Sequence, residues 1–274
     1  MSKPEPKKIS PGSSKTLLKG LKALEAVCLK KEGLKQSELA ALLGADRSTA
    51  LRILNTMTAA GYLSRDADGR YRPTMKIPRL SHHILEGMEI RFYARAHLDK
   101  VTLETGFSSH LAILSDEQVI YVDGVEGSGV VKVNAGVGNT APVHCSATGK
   151  ALAAHLGESN LKKLLYSTPG ETYLKRYTEK TITGYPELLE ELALTRKRGY
   201  ALDNEEYEPD IKCIAAPIFD YSGAVAASIG VSGTVSKIDG LNVKLLAEKL
   251  MAAASAISLN LGYIQSEKRG EKNV

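Results

Sequence analysis

No stretch of this chain approaches the roughly 20 consecutive apolar residues of a membrane helix, so a membrane-spanning protein is not expected. The opening "MSKPEPKKISPGSSK" has no apolar centre. That excludes a secretory signal and reads as a disordered basic tail over residues 1–14. Residues 266–274 read as a second polar tail. Cysteine is scarce: Cys28, Cys145 and Cys213 are odd in number, far apart and without a CxxC spacing. This excludes a disulfide framework and a zinc ribbon, and fits a reducing cytoplasm, the expected location. No repeat of the solenoid kind is present.

Charge is unevenly spread. Residues 1–80 hold 16 Lys and Arg against 7 Asp and Glu, and the remainder holds 20 against 24. A net charge of +9 in front of a net −4 points to a polyanion partner for the front part alone.

Within that front part, "TLLKGLKALEAVCL" repeats apolar residues at Leu17, Leu21, Leu24 and Cys28, the stripe of an amphipathic helix. "KQSELAALLG" is a shorter helix stopped by Gly44. "ADRSTALRILNTMTAAG" is a third, capped by Asp46, with Ala50, Ile53, Leu54 and Met57 as its buried stripe. Its other face carries Arg47, Ser48, Thr49, Arg52 and Asn55, with no carboxylate after Asp46. Hydroxyls and guanidinium groups suit phosphates and base edges. "YLSRDADGRYRP" reads as two short strands around a "DADG" turn, and supplies Arg65, Arg70 and Arg72. Three helices closed by a basic hairpin make a winged helix-turn-helix over 15–76, whose third helix enters the major groove.

Pro73 and Pro78 interrupt the pattern. A long linker helix is expected over 79–104, inside a join spanning 77–106, with Leu80, Ile84, Met88 and Phe92 recurring as a dimer seam. From 107 to 265 short strands, then helices, then strands predict an α+β domain with an antiparallel sheet. Strands are expected at 108–116, 118–127, 129–138, 211–220 and 224–234. A final helix over 239–263 carries Leu241, Leu245, Ala252 and Ile257.

"APVHCSATGKALAAHL" (141–156) gathers His144, Cys145, Ser146, Thr148 and Lys150. Neighbours in a strand point to opposite faces, and no GxSxG elbow is present, so a catalytic centre is not expected. A metal site from His110, His144, Cys145 and Cys213 lacks HxxxH or CxxC spacing, and no cofactor is expected. Small residues with free backbone N–H groups where a helix begins suit an anion such as a carboxylate. The alternative is that Ser146 only caps its own helix. Lys150 is expected on the helix surface. In the strand at 225–232, Ser228, Gly230 and Ser232 share one face, a polar floor with room above it. Asp203 precedes the strand at 211–217. It either meets a donor on a ligand or binds backbone N–H groups of its own loop.

"ADRSTALRILNTMTAAGYL", "HCSATGKALAA" and "LALTRKRGYALDNEEYEPDIKCIAAPIFDYSGAVAASIGVSG" resemble the IclR family of bacterial transcription regulators, over roughly 15–263. The resemblance implies a winged helix-turn-helix joined to a GAF/PAS-like effector-binding domain. It also implies a homodimer or dimer of dimers on double-stranded operator DNA, and control, taken here as repression, of a catabolic operon for a small organic or aromatic acid. It implies effector contacts at Val130, Val133, Ala141, Ala147, Thr148, Asp203, Cys213, Gly230 and Ser232. Where one member sensing two- and three-carbon acids carries a leucine and a serine, this chain has Ala141 and Gly230, leaving room for a larger acid. The competing readings are an enzyme with a nucleic-acid-binding appendage and a ligand-free architectural DNA protein.

Overall fold

Ser14, Asp46, Ser146 and Asn242 each accept a bond from a backbone N–H in the first turn of the helix they precede. Such caps satisfy donors that have no intrahelical partner, and they fix where each helix starts. The computed structural model describes residues 14–128, 135–166 and 173–264. The expected tails, the strand segment 129–134, and Val130 and Val133 lie outside the described residues. The chain divides into two compact units, Met1–Gly87 and Met88–Val274.

The first unit holds α1 (Lys15–Leu29), α2 (Gln36–Leu43), α3 (Arg47–Ala59), β1 (Leu63–Arg65), β2 (Tyr71–Pro73) and α4 (Lys76–Glu86). Gly44 closes α2 in the left-handed region, as a Cβ-free residue does at low cost. β1 and β2 pair antiparallel, and Leu34 bridges to Tyr71 to extend the wing. Ala23, Val27, Leu34, Leu39, Ile53, Leu54, Leu63 and Tyr71 form the core. The expected stripe on α1 is corrected. Leu17, Leu21 and Cys28 are exposed, Leu24 is half-buried against the core, and Ala23 and Val27 are buried.

The expected single helix over 79–104 is also corrected. The chain breaks at Gly87 and at Met88, which is extended, and α5 (Glu89–Thr105) starts afresh. Glycine has little helix propensity, and the break frees α5 to turn Ala94, Leu98 and Val101 inward. Leu80, Ile84 and Phe92 are exposed.

The second unit continues with β3 (Ser108–Ser115), β4 (Gln118–Val125), β5 (Thr140–Ala141), α6 (Ala147–Ala153), α7 (Glu158–Leu165) and α8 (Tyr185–Arg198). Then come β6 (Ala201–Asn204), β7 (Ile211–Phe219), β8 (Val225–Thr234), α9 (Val235–Asp239) and α10 (Val243–Asn260). The strands form one antiparallel sheet in the order β5-β4-β3-β8-β7-β6. Alternation along β3 separates its faces. Ser109 donates to the Leu98 carbonyl of α5, while His110 faces α6. α5 and α10 therefore cover one face and α6 the other, with α8 packed on α6. The stripe expected on the last helix is shifted. Leu241, Leu245 and Ala252 are exposed, and Leu246, Leu250, Ala253 and Ile257 are buried.

Candidate functional site

On α3, Arg47, Ser48, Arg52 and Asn55 are exposed and Thr49 is half-buried. Asp46 organises the N-terminal end of this face. Its carboxylate accepts from the Thr49 N–H at 2.8 Å, the Ser48 hydroxyl at 2.6 Å and the Thr49 hydroxyl at 2.9 Å. Those bonds, led by the Ser48 hydroxyl, hold its carboxyl far below the usual carboxylate range. Arg52 Nη2 stands 3.5 Å from Thr49 Oγ1, and among the described residues neither Arg47 nor Arg52 makes an ion pair.

The three wing arginines divide. Arg65 lies over the Tyr71 ring, 5.7 Å from its centroid. Arg70 Nη1 donates to the Gly33 carbonyl at 3.3 Å and reaches Glu38 at 3.5 Å. Arg72 binds Asp66 at 2.9 Å and the Lys31 carbonyl at 3.0 Å. The last two are engaged within the unit, a feature the local sequence did not indicate.

In the sheet unit, His144, Cys145 and Ser146 are turned to separate partners. His144 Nε2 donates to the Lys175 carbonyl at 2.9 Å. Cys145 is fully buried, and burial pushes its thiol well up, which keeps it a poor nucleophile. Ser146 donates to the Pro142 carbonyl at 2.6 Å and accepts from Gly149 N–H at 3.1 Å. Ser146 is thus the cap, and Ala147 and Thr148 follow with N–H groups that bond to nothing within α6.

Lys150 overturns its expected surface position. It is fully buried, with its ammonium 2.5 Å from Glu206 Oε1 and 3.7 Å from Glu191 Oε1. A buried ammonium is tolerable only when paired, and the pairing ties α6 to the loop after β6 and to α8. Arg198 adds a bond to the same Glu191 oxygen at 2.6 Å.

A small polar cavity lies between α6 and the sheet. Ala147, Thr148, Asp203, Cys213, Gly230 and Ser232 all line it. The sheet register brings Asp203, Cys213 and Ser232 into one row, and Cys213 Sγ donates to Ser232 Oγ at 3.2 Å. Ala141 lines a neighbouring cleft instead. Gly230 lines the cavity where the walls are close: a Cβ there would stand 2.9 Å from the Ile214 carbonyl oxygen and 3.3 Å from Thr148 Cγ2. Ser228 donates to the Thr148 carbonyl at 3.2 Å, so it secures helix to sheet rather than facing the cavity.

Asp203 Oδ1 accepts from Glu206 N–H at 2.8 Å and from Tyr207 N–H at 3.4 Å, which makes it a loop anchor. Burial pushes its carboxyl up to about 7. His110 also lines the cavity, and burial lowers its imidazole to about 4, so it is neutral. Among the described residues His110 Nε2 is buried without a hydrogen-bond partner, and Thr148 Oγ1 has only the Tyr121 hydroxyl near it. His110 and Tyr207 went unrecognised as wall residues in the sequence. Strand alternation with Ser108 could have placed His110, whereas Tyr207 sits in an irregular loop.

A winged helix-turn-helix joined to a sheet unit that encloses a polar cavity defines a class of DNA-binding transcription regulators. Residues 16–67 match the IclR helix-turn-helix domain, and residues 82–259 match the bacterial transcriptional regulator IclR C-terminal domain. The chain belongs to the IclR family. It is 33% identical over 231 residues to the HTH-type transcriptional regulator XynR of Escherichia coli, covering 84% of this chain and 90% of that one. It is 31% identical to the transcriptional repressor IclR of the same organism, covering 92% and 91%. The Thermotoga maritima IclR structure superposes with a TM-score of 0.72 at 31% identity, covering 90% of this chain and 99% of that chain. An IclR homologue from Microbacterium hydrocarbonoxydans complexed with 4-hydroxybenzoate superposes with a TM-score of 0.77 at 26% identity, covering 90% and 98%. The relatives are transcription regulators and not enzymes.

Proposed function

We propose that this regulator is an effector-controlled repressor that acts in the cytoplasm. It binds operator DNA as a dimer or dimer of dimers and releases or tightens its grip when a small organic acid enters the sheet unit. The observation that carries this reading is the pairing of two sites of opposite kind. One is an exposed helix face with two cations that no carboxylate among the described residues neutralises. The other is an enclosed cavity in which His110 Nε2 is buried without a hydrogen-bond partner among the described residues. Arg47 and Arg52 meet the duplex, with Asn55 reading bases, Ser48 and Thr49 positioning the helix, and Arg65 reaching from the wing. Arg70 and Arg72 first hold the wing in shape. The effector carboxylate is received by the Ala147 and Thr148 N–H groups and the Thr148 hydroxyl, with Ser232 alongside. Asp203 is anchored to its own loop, and its raised pKa limits repulsion of an acid. The exposed Leu17, Leu21, Leu80 and Ile84 support self-association of the first unit.

The test begins with sheared genomic DNA. Fragments retained by the full chain are identified and then titrated in mobility-shift assays against increasing salt. The retained fragments should share a near-palindromic site and bind with a steep salt dependence. A thermal-shift screen of organic acids follows, in which an acid at about 100 times its Kd adds about 2.7 kcal/mol of stability. Ser232→Ala and Thr148→Val should weaken the selected acid about ten- to a hundredfold, at an unchanged melting temperature of the free protein. Binding equal to the parent in both variants places the effector elsewhere.

A further inference from the structure

Two spaces lie side by side in the sheet unit, and Tyr207 lines both. The first is the polar cavity beneath α6. Its volume is about 20 Å³, room for one or two waters and too small for an organic acid. It is nevertheless no ordinary core void, because His110 Nε2 is buried in it with no partner among the described residues, and Thr148 Oγ1 has only the Tyr121 hydroxyl near it. Buried polar atoms are nearly always paired, and those left over call for a ligand or water. The second is a cleft of about 280 Å³, whose lining includes Tyr173, Tyr177 and His144. Joined, the two reach about 300 Å³, the lower end of volumes that hold organic ligands.

The wall between them is held by ring contacts. Tyr207 stands edge-on to Tyr177, with centroids 5.1 Å apart, and His144 lies 6.0 Å from Tyr177. Among the described residues the Tyr207 hydroxyl has no hydrogen-bond partner, and its backbone N–H reaches Asp203 only at 3.4 Å. The backbone just before it is fixed: Thr178 and Thr181 donate to the Glu205 and Glu206 carbonyls at 2.7 and 2.6 Å. Glu205 and Asp210 both sit at φ 61°, a region that L residues seldom occupy. A ring that is free at its tip on a clamped backbone can swing without unfolding its loop.

We propose that Tyr207 divides one binding site into two subsites and thereby sets which acids the protein accepts. With the ring aside, the joined site takes an aryl carboxylic acid. Its carboxylate meets His110 Nε2 and Thr148 Oγ1 in the polar cavity, and its ring packs against Tyr177 and His144 in the cleft. Two- and three-carbon acids fill too little of this space to hold the ring open. The inference rests on the reading of the cavity as the effector site.

The experiment uses the full chain and diethyl pyrocarbonate, which acylates accessible neutral imidazoles, with peptide mapping to follow each histidine. In the parent His110 is shielded. Tyr207→Ala should raise its modification rate at least tenfold, and Tyr207→Phe should not. The exposed His82 and His83 serve as references. His97, half-buried on α5, reports general loosening. An unchanged His110 rate in Tyr207→Ala overturns the inference, and so does a rise matched at His97. In Tyr207→Ala, 4-hydroxybenzoate should slow the His110 reaction and pyruvate should not. If pyruvate protects His110 equally in parent and variant, the cavity is an effector site without the cleft, and only this inference fails. If neither acid protects while Tyr207→Ala still opens His110, the division stands and the organic-acid reading of the site fails.

Discussion

α3 and α6 both begin at a side-chain cap, carry a hydroxyl and a cation within their first six residues, and then treat those groups oppositely. On α3 Arg47, Ser48, Arg52 and Asn55 stay in water, and among the described residues Arg47 and Arg52 have no ionic partner. On α6 every residue is buried, and Lys150 is neutralised by Glu206 and Glu191. A polyanion from outside needs cations already at the surface, whereas an enclosed cavity needs its neighbouring charges cancelled before a ligand arrives.

The same change made in both helices sharpens this contrast most. Lys150→Met leaves Glu206 and Glu191 without their buried cation, and removing one partner of a buried pair costs about 3–5 kcal/mol. Thermal unfolding should show a large drop in melting temperature, with partial recovery on adding Glu206→Gln. A melting temperature equal to the parent's would mean that Lys150 reaches water. Arg52→Met in α3 should leave the melting temperature in place and cost about 1–3 kcal/mol in operator affinity if it contacts a base. Mobility shift reads this directly, and parental affinity in Arg47→Ala/Arg52→Ala removes this face as the reader.

A smaller effect separates the wing arginines. Arg70→Met should cost about 1 kcal/mol of stability, because its half-buried guanidinium donates to the Gly33 carbonyl and reaches Glu38 only at 3.5 Å. The slope of log affinity against log salt should stay near the parent's. A shallower slope would show that Arg70 serves phosphate and not its own fold.

The subtlest effect concerns pH and two groups facing the same cavity. The Asp203 carboxyl is raised from 3.8 to about 7 on folding, so the folded state keeps a proton that the unfolded state loses, and stability falls as pH rises across that window. His110 is lowered from 6.5 to about 4, so the unfolded state holds the extra proton, and stability rises with pH between those values. The two slopes oppose each other. Urea unfolding of Asp203→Asn, measured from pH 4 to 7, should show stability rising more steeply with pH than in the parent. His110→Gln should show the reverse. Curves parallel to the parent in both variants would refute the burial of these groups.

Much of the fold was legible locally. Asp46, Gly44 and Ser146 mark helix ends through bonds to residues within four positions, and strand alternation put Gly230 and Ser232 on the cavity side. The stripes on α1 and α10 were misplaced because apolar residues flank the buried ones, and only close packing decides which row faces inward. The helix break at Gly87 and Met88 is hidden for a related reason: the apolar spacing runs on through it, and the low helix propensity of glycine is the local sign of it.

By itself the sequence determined the element types, the basic front, the helix caps and which strand residues share a face, because each depends on neighbours a few positions away. Tertiary structure alone decided the rest. It buried Lys150 by bringing Glu206 to it from 56 positions along the chain, and it engaged Arg70 with Gly33 and Glu38. It also stood Tyr207 between a cavity and a cleft. Burial and pairing are properties of where distant segments meet, and a charged side chain's own identity does not say whether water or a carboxylate will be its partner.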